Sequence, residues 1–250
     1  PPSDGKVAGQ MIVSHKHRFI FLKPRKVAGT SFEIALSKYC GEEDIITPIS
    51  RDDEAIRRVN DFMGPRNFNF GLAKLLASNP NSEVKLFGYA LPLKFYNHIP
   101  AKLARSRLKA DVWNSYRKIS LVRNPWDRTV SIFFWKNTKR KSKPNLANFT
   151  SYFKANPYLL ETNYSQYMID GKDIVDTYIR YEHFQEDILK LEAEMPVLEG
   201  LWNTFKHINA KTDTRDRSKD IRDIFRDNPE IDRMIRERNA WEIEKFSYSL

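Results

Sequence analysis

Four short apolar runs, separated by segments with helical spacing, limit this chain to a narrow set of folds. The runs are residues 18–23 (RFIFLK), 84–89 (VKLFGY), 118–122 (KISLV) and 177–182 (TYIRYE). Each has the length of a buried strand and is too short for an ordinary helix. Between them, residues 31–40, 101–109, 126–135 and 186–195 carry apolar side chains at helical intervals. This alternation predicts an α/β fold, a central parallel sheet flanked by helices. Pro196 should end the last of these helices, because proline cannot continue one. Further helices follow, closing with an aromatic amphipathic segment over residues 231–246. No internal repeat or low-complexity linker interrupts the pattern, so residues 11–250 read as a single domain. Residues 1–10 (PPSDGKVAGQ) read as a polar tail outside it, with Met11 able to serve as the natural start. From that start a cytoplasmic location follows; a chain trimmed from a longer one leaves the Golgi lumen as the alternative.

Composition removes several classes. A hydrophobic content of 41% belongs to a folded protein. No stretch approaches the roughly 20 apolar residues of a membrane span, and the start lacks the order of a signal peptide. One cysteine, Cys40, leaves no internal disulfide framework and no multi-cysteine metal site, and favours a reducing compartment. There is no HExxH pattern and no clustered carboxylate–histidine set, so no metal is expected. The sequons at Asn148 and Asn163 carry little weight. A net charge of +10 calls for an anionic partner: nucleic acid, acidic lipid, nucleotide phosphate or acidic glycan.

In parallel sheets, ligands collect where strands end and helices begin. Two segments fall there. After RFIFL comes Lys23-Pro24-Arg25-Lys26-Val27-Ala28-Gly29-Thr30-Ser31, a basic, small-residue turn into a helix. Converging backbone N–H groups and the helix dipole make such a turn an anion cradle. Thr30 and Glu33 also have the spacing of a capping box, which assigns Glu33 to the helix end. The Walker A order is absent, since the lysine precedes the glycine. The second segment joins strand ISLV to Arg123-Asn124-Pro125-Trp126-Asp127-Arg128, then Thr129, Val130 and Ser131. Asn124 is the expected N-cap, Pro125 the first helical residue and Asp127 the third. Arg128 and Ser131 share one helical face.

Together the two segments resemble the 5′-phosphosulfate loop and the 3′-phosphate segment of sulfotransferases that use 3′-phosphoadenylyl sulfate (PAPS). The likeness is greatest to the carbohydrate sulfotransferase branch (sulfotransferase family 2) and covers roughly residues 18–135. Tyr181-Glu182-His183-Phe184 is similar, more weakly, to a strand-to-helix junction of that family. The resemblance implies a P-loop-like sulfotransferase fold and sulfuryl transfer from PAPS to a hydroxyl, foremost of a carbohydrate, without a metal. It implies that Arg25, Lys26, Gly29, Thr30 and Ser31 bind the 5′-phosphosulfate, and Arg123 and Ser131 the 3′-phosphate. Arg128 contacts the donor or braces the loop; bracing is the preferred reading. Lys26 is the expected catalytic cation at the bridging oxygen and leaving phosphate.

Of five histidines, His98 is the first candidate for the base. It follows the run VKLFGY and precedes Ile99-Pro100, where a helix start would favour neutral imidazole. The alternative is a loop histidine with a structural bond, and Glu33 is the second candidate base. His15 and His17 read as surface residues, His183 and His207 as structural. The basic run 136–143 (KNTKRKSK) is a solvated loop or a recruiter of anionic glycan, helped by Arg105, Arg107 or Lys109. Trp135, Tyr152, Tyr164 and Tyr167 are stacking candidates for sugar rings or ordinary core residues. A nucleotide kinase and a basic nucleic-acid-binding protein are the competing functions. No nucleic-acid motif is present, so nucleic acid is not the expected partner.

Overall fold

The computed structural model describes residues 11–69, 85–86, 89–90, 94–96, 98–137, 145–160, 163–208 and 220–250. The chain divides into two compact units, Pro1–Leu121 with Tyr164–Ala210, and Val122–Asn163 with Lys211–Leu250. Its described strands are β1 (Met11–Ser14), β2 (Phe19–Leu22), β3 (Ile45–Ile46), β4 (Lys85–Leu86), β5 (Tyr89–Ala90), β6 (Arg117–Val122), β7 (Met168–Ile169), β8 (Lys172–Asp173) and β9 (Thr177–Arg180). The first unit supplies helices α1 (Gly29–Ser37), α2 (Arg51–Val59), α3 (Ala101–Arg107) and α4 (Ala110–Ser115). The second holds α5 (Pro125–Asn137) and α6 (Phe149–Ala155). The first unit resumes with α7 (Tyr164–Tyr167), α8 (Phe184–Glu194) and α9 (Leu201–Lys206). The second ends in α10 (Ile221–Arg226), α11 (Pro229–Arg238) and α12 (Ala240–Phe246).

Five strands form the main sheet, in the order β3-β1-β2-β6-β9. At its centre β2 and β6 run parallel, with Phe19 opposite Arg117 and Leu22 opposite Ser120. Their carboxyl ends therefore share one edge. The sheet is mixed, because β1 pairs antiparallel with both β2 and β3. The four-residue turn from His15 to Arg18 leaves no room for the crossover a parallel pair needs. Buried Asp44 fastens that turn, accepting from the Ser14 hydroxyl at 2.9 Å and the His15 and Lys16 amides at 2.7 and 3.0 Å. Strand β1 has no counterpart among the four apolar runs. The run VKLFGY also departs from expectation: its described pieces belong to β4 and β5, which pair with each other. Residues 84, 87 and 88 of that run lie outside the described residues, as do residues 138–143 of the basic run.

Both faces of β1 and β2 are covered, which explains runs that are apolar throughout instead of alternating. Ile12, Phe19 and Phe21, with Ile119 and Leu121 of β6, pack on Phe32 of α1, Ile188 and Leu191 of α8 and Leu201 of α9. On the opposite face Met11, Val13, Ile20 and Leu22 meet Ala101 and Ala104 of α3 and Val112 and Trp113 of α4. Met195 closes α8 and Pro196 opens a short 3-10 turn, as the proline requires.

The second unit has its own core. Trp126, Val130 and Phe133 of α5 pack with Phe149 and Phe153 of α6 and with Ile231 and Ile235 of α11. The expected helix over 231–246 is two helices, broken at Asn239. The buried Asn239 amide donates to the Ile235 carbonyl at 3.0 Å, and its oxygen accepts from Arg128.

Candidate active site

The loop from β2 to α1 turns by placing two non-glycine residues in the left-handed region, Lys26 at φ 59° and Ala28 at φ 58°. Such conformations are uncommon and cluster where a loop must hold one shape. Ala28 is the N-cap of α1, and its side chain can accept no capping bond. First-turn amides of any helix have no intrahelical acceptor. Here they belong to Gly29, Thr30 and Ser31, residues expected at the anion cradle. Arg25 is exposed and Lys26 partly so, whereas Ser31 is buried.

Lys23, at the end of β2, is buried and lies across Gly29. A Cβ added to Gly29 would sit 2.7 Å from its Cγ and 2.8 Å from its Cε. The Lys23 ammonium donates to Thr30 Oγ1 at 2.8 Å and to Glu33 Oε2 at 3.3 Å. Because α1 starts at Gly29, Thr30 and Glu33 occupy its second and fifth positions and do not form a capping box. Glu33 points inward, fully buried, and pairs with Lys23 and with Arg57 of α2, whose Nη2 lies 3.6 Å away. Burial pushes the Glu33 carboxyl up, and the charges of Lys23 and Arg57 oppose that push. Protonating Glu33 would take a buried counter-charge from both Lys23 and Arg57, so the carboxylate is the form that fits these neighbours.

His98 reaches this loop by an unexpected route. No strand of the main sheet leads into it. Its backbone is left-handed at φ 52°, and its Nδ1 lies 3.0 Å from the Lys23 carbonyl. A carbonyl can only accept, so Nδ1 carries the proton and the lone pair of neutral His98 lies on Nε2. Gln166 supports the turn, donating to the His98 carbonyl at 2.9 Å. Helix α3 starts just beyond, at Ala101.

Arg123 and Ser131 belong to the second unit, on the segment that continues β6 into α5. Asn124 is the cap, its Oδ1 accepting from the Trp126 amide at 3.0 Å. Arg123 is buried and its Nε donates to Asp127 Oδ2 at 2.6 Å. Asp127 therefore fixes the guanidinium as well as occupying the helix's first turn. Ser131 is buried on α5. Arg128 is a brace: its guanidinium donates to Glu242 Oε2 and Asn239 Oδ1, both at 2.6 Å, with all three residues buried.

The sequence reading did not give Lys23 or Asp127 these roles. Their spacing to Thr30 and to Arg123 was the available signal. Of the stacking candidates, Tyr167 is core and donates to the Leu121 carbonyl, and Tyr152 packs on Phe133. Trp135 and Tyr164 are about 40% exposed, at 40% and 41%. Among the described residues, no three His, Cys, Asp or Glu side chains are grouped to hold a metal ion. No described helix is long and apolar enough to cross a membrane.

A glycine-bearing turn from a central strand into a helix, lined by lysine and hydroxyl donors, is the layout with which α/β proteins hold phosphate-like groups. The sequence adds the group that is moved. Residues 9–249 match the sulfotransferase family, and the chain belongs to it. It is thus a transferase of sulfuryl groups, with a hydroxyl-bearing acceptor implied. An uncharacterized protein of Archaeoglobus fulgidus is 30% identical over 106 residues, 41% of this chain and 87% of that protein. No solved structure matches the chain.

Proposed function

We propose that the protein transfers the sulfuryl group of PAPS to a hydroxyl of a carbohydrate acceptor. The observation that carries this reading is the β2–α1 loop, where left-handed residues lead into a helix start beside a buried lysine. Its donors are cations, amides and hydroxyls, which suits a phosphosulfate. In this reading Arg25, Lys26, Gly29, Thr30 and Ser31 hold the 5′-phosphosulfate, and Arg123, set by Asp127, holds the 3′-phosphate with Ser131. The strands that precede the two segments, β2 and β6, pair in parallel.

The acceptor oxygen attacks sulfur in line, the bond from sulfur to the bridging oxygen breaks, and adenosine 3′,5′-bisphosphate leaves. Nε2 of His98 takes the acceptor proton, with Nδ1–H held by the Lys23 carbonyl. Lys26 neutralises charge on the leaving phosphate. Positioning and charge stabilisation supply most of the rate, as in phosphoryl transfer.

Calorimetric titration with adenosine 3′,5′-bisphosphate tests the reading. The expected result is binding that collapses in Lys26→Ala and in Arg123→Ala, with 5′-AMP much weaker. No binding to the folded protein would overturn the PAPS assignment. Sulfate transfer from labelled PAPS to a panel of glycans and to simple phenols then tests the acceptor class.

A further inference from the structure

Arg57 sits on α2, a helix whose sequence is built to form in place. Ser50 caps it by accepting from the Asp53 amide; Asp52, Asp53 and Glu54 fill its first turn, and Arg57 and Arg58 its last. These charges complement the helix dipole at both ends. Yet Arg57 does not turn to solvent. Its side chain is wholly buried, with Nη1 on Glu54 Oε1 at 2.9 Å and Nη2 directed at Glu33 Oε1 at 3.6 Å. Glu33 Oε1 and Arg57 Nε and Nη2 are buried without a hydrogen-bond partner. A guanidinium placed there at such cost needs an explanation beyond packing.

We propose that Arg57 is a positioning residue for the donor site, acting through Glu33 and Lys23 on the hydroxyl of Thr30. This rests on the reading of the β2–α1 loop as the phosphosulfate cradle. Lys23, Glu33, Arg57 and Glu54 form a chain of alternating charge with no net charge. The ammonium of Lys23 is shared between Thr30 Oγ1 at 2.8 Å and Glu33 Oε2 at 3.3 Å. Because Thr30 Oγ1 accepts from an ammonium, its own O–H is left to donate, and polarisation strengthens that donation. Arg57 faces the other oxygen of Glu33 as an ion pair at 3.6 Å. Without it the carboxylate would have Lys23 as its near cation, and the ammonium would be drawn off Thr30. The same geometry argues against Glu33 as the base, since a fully buried carboxylate between two cations cannot meet an acceptor hydroxyl.

The test compares Arg57→Met, Arg57→Lys and Glu33→Gln with wild type, measuring adenosine 3′,5′-bisphosphate affinity, KM for PAPS and kcat. Circular dichroism establishes that each variant is folded. A misdirected Thr30 hydroxyl should weaken bisphosphate binding about tenfold in Arg57→Met, the loss of one hydrogen bond to a charged ligand. KM for PAPS should rise in step, and Arg57→Lys should recover part of both. Should Arg57→Met fail to fold, Arg57→Lys, which keeps the charge but not the guanidinium's reach to Glu33, decides the question by the same measurements. Wild-type affinity and KM in folded Arg57→Met, or in Arg57→Lys where Arg57→Met does not fold, overturn the proposal. A kcat collapse in Glu33→Gln with donor affinity untouched also overturns it, because that marks Glu33 as the base. Failure of wild type to bind bisphosphate or PAPS is a separate result and sinks the donor reading instead.

Discussion

Replacing Arg128 separates bracing from ligand binding inside the second motif. Side-chain exposure is 3% for Arg128 and 1% for Glu242, and their contact is 2.6 Å. Arg128→Met keeps most of the volume but leaves the Glu242 carboxylate buried without its cation. Breaking such a pair from one side costs about 3–5 kcal/mol. In Arg128→Met/Glu242→Leu both charges are gone, and the pair itself should cost little. Asn239 Oδ1 still loses its donor, and the Asn163 amide, 3.3 Å from Glu242 Oε1, loses that acceptor, each worth about 1–3 kcal/mol. The double variant should therefore lie about 2–6 kcal/mol below wild type, less than the sum of the two single variants. Urea unfolding of wild type, both single variants and the double variant closes the cycle. Titration with adenosine 3′,5′-bisphosphate then asks whether the folded double variant still binds. If the two substitutions simply add, or if the stable double variant loses donor affinity, the bracing argument fails.

Three further outcomes follow from the loop and its surroundings. His98→Asn, whose side chain tolerates the left-handed backbone, should lower kcat by about 10²–10⁴ and leave bisphosphate affinity unchanged; equal turnover would remove His98 as the base. Gly29→Ala puts a methyl into the Lys23 side chain and should cost about 1–3 kcal/mol in urea unfolding, with weaker donor binding. Wild-type behaviour there would mean that Lys23 does not pack across the glycine. Cys40 is buried and burial pushes its thiol up, so a disulfide reagent at pH 8 should label it only as the protein unfolds. Rapid labelling in buffer would contradict its burial.

The parts of this molecule that were legible in sequence are those fixed within a few residues. Asn124, Pro125 and Asp127 announce the start of α5, and the run ISLV announces the strand before it. Arg128 could be read as a brace, although its partners lie more than 100 residues away and had no signature. Glu33 shows where local spacing misleads. Its distance from Thr30 fits a cap, but the helix begins two residues earlier than that cap requires, and Lys23 and Arg57 claim the carboxylate. Strand β1 was missed because four residues before a polar turn resemble the end of a tail until Asp44 folds back on them. The run VKLFGY has the composition of a central strand, and composition does not encode its partner. The acceptor was least legible, since the stacking candidates Trp135 and Tyr164 differ from core aromatics only in exposure.

Lys23 carries two separable duties. Its carbonyl orients the imidazole of His98, while its ammonium serves Thr30 and Glu33. Every amino acid has the carbonyl, and only the side chain is under mutational control. In the proposed site, variation at position 23 changes the contact with Thr30 and Glu33 while the carbonyl contact to His98 remains common to all variants. On the reading proposed above, a library randomised at this single codon would sample donor affinity while the carbonyl that orients His98 stays in the backbone.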